Sequence, residues 1–282
     1  MAVFLFSFVF LLMNSKLKRG LVMYFEKLWT EFSKLQEVEA IVLGGSRAMD
    51  NFDEKSDYDL YIYCSEIPAI NIREQILTST CNYMEVGNHF WELEDDCTLK
   101  DGVDIDILYR NLDIFTQEVS SVVESFHVHN GYTTCMWHNL LYSKILYDRN
   151  GNFKKVQGRF NVHYPEQLKT NIIQQNMRLL TQNLPSYDKQ IKKALKRNDL
   201  LSINHRITAF LESYFDIIFA LNELTHPGEK RMLSYVKKHA KILPENFEEN
   251  IQILLKNAFF DSEATIKTLE EIIDNICRVL TI

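Results

Sequence analysis

The chain has 282 residues, 46% hydrophobic and 24% charged, with nine glycines and five prolines. That is enough apolar material for one large core or two ordinary ones, and too few polar tracts for a disordered protein. A formal net charge of −7 excludes a protein built mainly to coat nucleic acid, which needs a basic face, but leaves room for a local basic patch.

In chain order, Ala2 to Met13 is an apolar run followed by Lys16, Lys18 and Arg19. It is shorter than the roughly 20 apolar residues of a membrane span, and it has neither the leading positive charge nor the cleavage site of a signal peptide. Residues 1–22 are therefore read as an upstream extension or non-native start, with a weak membrane anchor as the alternative, and the domain is read as starting at Met23. Phe25, Leu28, Trp29, Phe32 and Leu35 form one stripe at helical spacing. Ala40 to Leu43 is a short apolar strand stopped by Gly44-Gly45, and Leu60 to Tyr63 is a second strand. Phe90-Trp91-Glu92-Leu93 is a candidate strand. From Val103 to Tyr109, Val103, Ile105 and Ile107 alternate with Asp104, Asp106 and Leu108, a period of two that sends both carboxylates to one face.

From about residue 111 onward the pattern reads as helical, with breaks expected at Gly131, Gly151 and Pro165. The clearest helix runs from Ile203 to Leu221 and ends at Thr225-His226-Pro227-Gly228; two further stripes start at Phe247 and Ile266. These observations predict an α+β chain: strands and helices over 23–150, then an all-α bundle over 151–282.

The chemistry is concentrated in Leu43-Gly44-Gly45-Ser46-Arg47 and, ten residues on, Asp57-Tyr58-Asp59-Leu60. Two glycines after a buried strand let the backbone turn sharply and approach an anion, and Ser46 adds a hydroxyl and N–H groups that can cradle phosphate. Asp57 and Asp59 flank one residue at a strand start, so their carboxylates leave the same face. Paired hard oxygens of this kind suit Mg²⁺, whose other ligands come from water and substrate phosphates. Asp106 or Asp104 would add the third carboxylate of a two-metal site.

This combination resembles the DNA-polymerase-β-type nucleotidyltransferases over about residues 40–110. The helical region that follows, with Lys144 to Gly151 and Phe219 to Asn222 leading to His226-Pro227-Gly228-Glu229-Lys230-Arg231, is similar to the small-molecule branch that includes lincosamide and aminoglycoside nucleotidyltransferases. The resemblance implies a polymerase-β-like catalytic domain, a mixed sheet flanked by helices, followed by an acceptor-binding bundle. It also implies an enzyme that moves a nucleoside monophosphate, AMP by family expectation, from an NTP such as ATP to a hydroxyl of a small, antibiotic-like acceptor. Gly45 and Ser46 would then hold the β- and γ-phosphates, and Asp57, Asp59 and a third acid would hold metal. Asp106 is preferred to Asp104 because the trailing Ile107-Leu108-Tyr109-Arg110 resembles that of relatives, and it is the candidate general base.

Lys230, after its Pro-Gly turn, and Arg47 are candidates for neutralising phosphate, against the reading of each as a solvated cation. Glu212 is expected on the polar face of its helix. The eight histidines offer no zinc set. Cys64, Cys81, Cys97, Cys135 and Cys277, odd in number and with no C-x-x-C pair, are expected as free thiols in a reducing cytoplasm. No membrane and no stable nucleic-acid partner are expected. The competing readings are a nucleotidyltransferase acting on a protein or RNA, as in toxin–antitoxin pairs, and a nucleotide-binding module without turnover.

Overall fold

The structure, a computed structural model, describes residues 23–49, 56–89 and 92–280; the expected extension 1–22 and the aromatic pair Phe90-Trp91 lie outside them. The chain divides into two compact units. One comprises residues up to Glu118 together with Asn139–Asn161, and the other comprises Val119–His138 together with residues from Val162 onward. The boundary expected at residue 150 falls inside the first unit, which runs to Asn161, and the chain enters the second for residues 119–138 before returning. Helical periodicity shows that a helix has an apolar stripe but not which core the stripe joins.

In the first unit, helix α1 (residues 23–33) precedes strand β1 (Val38–Leu43), the four-residue helix α2 (Gly45–Ala48) and β2 (Tyr58–Cys64). Then follow α3 (Ile70–Thr80), β3 (Cys81–Asn88), β4 (Glu94–Leu99), β5 (Asp104–Arg110) and α4 (Leu112–Val123), which passes into the second unit at Val119. After α5 (Cys135–Tyr142) the chain adds β6 (Lys144–Asp148) and α6 (Asn152–Phe160). The sheet order is β3-β4-β5-β2-β1-β6. β2 and β5 are parallel and the other neighbours antiparallel, so the sheet is mixed.

The candidate strand at 90–93 is displaced: Glu92 and Leu93 form a bend, and the strand runs over Glu94–Leu99. β6 corrects the expectation of helices alone after residue 111; Ala40 to Leu43 of β1 pair with it, a partner too distant in sequence for local pattern to report.

One face of the sheet is apolar. Phe25, Leu28 and Phe32 of α1 and Leu77 of α3 join Leu60, Ile62, Ile105, Ile107 and Tyr109 in a continuous core. Beneath it Arg73 is buried with Asp95 as an ion pair, and Tyr109 donates its hydroxyl to Asp95 Oδ2 at 2.7 Å. Desolvation makes a lone charge costly there, so the pairing is a condition of burying either residue.

The second unit contains α7 (Glu166–Met177), a short π-helical turn, α8 (Tyr187–Lys196), α9 (Leu200–Leu221), α10 (Met232–His239), α11 (Phe247–Asn257) and α12 (Ser262–Leu280). Helix α9 supplies Ile203, Ile207, Phe210, Tyr214, Phe215, Ile217, Ile218 and Phe219 to its core, and the Asp199 carboxylate caps it by accepting from Ser202 N at 3.1 Å. Among the described residues no helix is long and apolar enough to cross a membrane, and all five cysteines are free thiols.

Candidate active site

The site begins where β1 stops. Gly44 N donates to the Asp59 carbonyl at 2.8 Å, and the chain turns into α2 with Gly45 at φ +60°. A Cβ on Gly45 would overlap the Asp59 carboxylate, and one on Gly44 would run into the Tyr61 ring. Both glycines are therefore required by close approach, and at Gly45 the left-handed backbone adds to the need. The turn rests directly on the carboxylate expected to do chemistry. Ser46 is half-buried on α2, whose opening N–H groups have no partner within the helix.

Arg47 ties this turn to the start of β2. Its Nε donates to the carbonyls of Ser56 and Asp57, both at 2.9 Å, Nη2 donates to Ser56 as well, and the guanidinium lies 4.1 Å from the centroid of the Tyr58 ring. Tyr58 in turn stacks on Phe25 at 4.1 Å. Arg47 therefore fixes the backbone that carries Asp57, a positioning role beyond the phosphate neutralisation expected of it.

On β2 the alternation separates Tyr58, Leu60 and Ile62, which face the core, from Asp59, Tyr61 and Tyr63. Along this second face the side chains change from half-buried Asp59 to fully buried Tyr63, which packs on Phe115 at 5.3 Å and Phe153 at 4.9 Å. Cover is therefore complete at one end of the strand and lifts at the end where the carboxylates stand. Asp59 is in register with Asp106 on the adjacent parallel strand, and Asp106 is in register with Asp96 on β4. Since neighbouring strands lie about 4.8 Å apart, the three carboxylates form a row on one face. Asp57 immediately precedes β2.

Asp104 is exposed and accepts from Thr98 Oγ1 at 2.7 Å, while Asp106 is half-buried directly opposite Asp59. Farther along the face, Arg110 is held by Glu92 at 2.6 and 2.7 Å with its guanidinium 4.3 Å from the Tyr61 ring centroid. The acidity of this face registers on Glu94, whose carboxyl is pushed above the usual range by burial and then by the charges of Asp96 and Asp106. Asp96 and Glu94 were missed in the sequence, although Glu94, Asp96 and Thr98 alternate with Asp95, Cys97 and Leu99 in the same period of two.

Among the described residues no three His, Cys, Asp or Glu side chains are gathered as a metal-holding group. The register brings Asp59 and Asp106 together as neighbours and leaves Asp57 at the strand start.

Lys230 belongs to the second unit, in the turn before α10. Glu212, expected on a solvated face, is half-buried on α9, and a Cβ on Gly131 would lie 3.0 Å from its Cβ; burial raises its carboxyl. His127 and His129 have ring centroids 5.6 Å apart. His138 and His226 are buried and held neutral, pushed down to about 4 and about 3 by desolvation.

Residues 26–124 match the family model "Polymerase beta, Nucleotidyltransferase", and residues 134–232 match a domain of unknown function, DUF4037. No curated protein matches the chain. Among solved structures, a nucleotidyltransferase-like protein from Exiguobacterium sibiricum shares 9% identity, covering 87% of this chain and 72% of its own, with a TM-score of 0.42. An aminoglycoside 6-adenyltransferase from Bacillus subtilis shares 10% identity over 89% of each chain with a TM-score of 0.25. The Thermotoga maritima CCA-adding enzyme, solved with tRNA, shares 12% identity over 95% of this chain and 84% of its own with a TM-score of 0.30. The turn on Asp59 and the carboxylates in register all fall within residues 26–124, the stretch that the polymerase-beta nucleotidyltransferase family model matches.

Proposed function

We propose that the chain transfers a nucleoside monophosphate, AMP by preference, from its triphosphate to a hydroxyl of a small, antibiotic-like acceptor in the cytoplasm. The observation that carries this reading is the register of Asp59 with Asp106 beside the Gly44-Gly45 turn that rests on Asp59. Adjacent hard carboxylates, with Asp57 two residues before Asp59, fit the donor chemistry of Mg²⁺, two ions in the fullest form of the site. When bound, such ions would supply charge neutralisation for the triphosphate.

The chain's own residues divide the remaining work. Gly45 lets the backbone come close to the β- and γ-phosphates, and the Ser46 hydroxyl and N–H hold them. Arg47 keeps the start of β2 in place and adds positive charge beside the phosphates, and Lys230 is proposed as a second phosphate cation. Asp106 accepts the acceptor's hydroxyl proton. The freed oxygen forms a bond to the α-phosphorus, the bond from that phosphorus to the β-phosphate oxygen breaks, and pyrophosphate leaves with the electron pair.

The test is incubation of the full chain with Mg²⁺, α-labelled ATP and a panel of hydroxylated small molecules, protein and RNA. Label on a small molecule supports the proposal. Label on protein or RNA replaces the acceptor class, and ATP binding with no transfer to any acceptor rejects turnover. Lys230→Ala is expected to raise the KM for ATP about tenfold, the effect of one lost charge-assisted contact; an unchanged KM removes Lys230 from the site.

A further inference from the structure

The net charge of −7 hides an opposite local balance: residues 184–206 hold six Lys or Arg against two Asp. Lys189, Lys193 and Lys196 recur on one side of α8 at helical spacing, opposite Ile191, Ala194 and Leu195, which are buried in the core of the second unit. Arg197 ends the helix, and Arg206 stands on α9. Lys189, Lys193, Arg197 and Arg206 line one open groove of about 310 Å³ together with Leu184 and Pro185. Of the six cations, Lys192 is the one drawn onto a carboxylate, Glu270 at 2.7 Å. Among the described residues the other five, all exposed, have no ion-pair partner.

The second observation is apolar. Leu184, on the lip of this groove, is 91% exposed, and Leu201, beside the groove residue Ser202, is 77% exposed with Leu200 next to it. A single bare leucine is ordinary. Three around one unpaired basic groove match what an anionic lipid surface recognises, where cations sit at the headgroups and short aliphatic side chains enter the boundary. A nucleic-acid backbone would satisfy the cations equally but give the leucines nothing to bury in.

The geometry points to a peripheral docking surface for anionic membranes, built from Lys189, Lys193, Lys196, Arg197 and Arg206 with Leu184 and Leu201 as the inserting residues. It lies wholly in the second unit and is independent of the transfer chemistry. The attachment is reversible and weakens with salt, as expected of a few cations with a shallow apolar contact.

The full chain should be sedimented with phosphatidylcholine vesicles, with and without phosphatidylglycerol, and with double-stranded RNA in parallel. Vesicle binding is expected only with the anionic lipid. It should fall about tenfold or more in the double variant Lys193→Glu, Arg197→Glu and several-fold in Leu184→Ser, Leu201→Ser. All of these residues are exposed, so unchanged circular dichroism is expected and checks folding. Binding that ignores lipid charge, survives charge reversal or is indifferent to the leucines overturns the proposal. So does binding to RNA without binding to vesicles, which would make the groove a nucleic-acid surface.

Discussion

Asp59 in the sheet unit and Asp216 in the helical unit are both carboxylates on regular elements, yet their surroundings assign them different work. Asp59 is half-buried on a strand face with Asp106 in register beside it. Asp216 is 2% exposed and accepts from Thr133 twice, from the backbone N–H at 3.2 Å and from the hydroxyl at 2.6 Å. It anchors the turn of Gly131 and Tyr132, both with positive φ, ahead of α5. Partial exposure beside a second acid leaves a carboxylate able to meet a substrate, whereas complete burial with donors on hand turns it into a structural tie.

The comparison is broken most directly by exchanging charge for amide at both positions. Asp59→Asn is expected to reduce transfer on the order of a thousandfold or more with the melting temperature near that of the parent. If turnover survived, the assignment of Asp59 to chemistry would fall. Buried charge in the sheet unit behaves like Asp216 rather than Asp59: Arg73→Met strands Asp95 in the core and should cost about 3–5 kcal/mol in urea unfolding.

Gly45→Ala lies between these extremes. The added methyl must displace either the turn or the Asp59 carboxylate, so a loss of about a hundredfold in transfer is expected with about 1–3 kcal/mol of strain. A fully active Gly45→Ala protein would show that the turn does not need its contact with Asp59.

The smallest expected effect is in pH dependence. Burial raises Asp216 to about 6 in the folded state, so its contribution is present below the ordinary carboxylate range and is lost as pH rises through about 6, an effect of at most about 3 kcal/mol. His138 and His226, lowered to about 4 and about 3 by burial, act in the other direction. Their contribution is present above about 6.5 and is lost as pH falls through those values. Asp216→Asn removes the opposing slope, so the variant should lose stability more steeply than the parent between pH 6 and 4 in urea titrations. Parallel slopes would show that Asp216 does not titrate in that range.

Legibility divides along the same line. The glycine turn, Asp57, Asp59 and the alternating carboxylates of β5 are readable because strand side chains have a period of two and a tight turn needs small residues, both local rules. The place of Asp96 in the row with Asp59 and Asp106 was hidden, because register between strands depends on partners distant in the chain. The same reason hid β6 and moved the expected strand at 90–93 to Glu94–Leu99.

Composition, spacing and periodicity are properties of neighbours along the chain, and they suffice to read an acidic α+β chain with a double-glycine turn and paired carboxylates. Folding fixed that Asp106 stands opposite Asp59 while Asp104 is tied to Thr98. It also decided that Arg47 spends donors on the start of β2, that Asp216 is a buried tie, and that the cations of α8 gather around exposed leucines. Each of these depends on which distant segment a side chain meets and how much water is excluded there, quantities that exist only once the chain has folded.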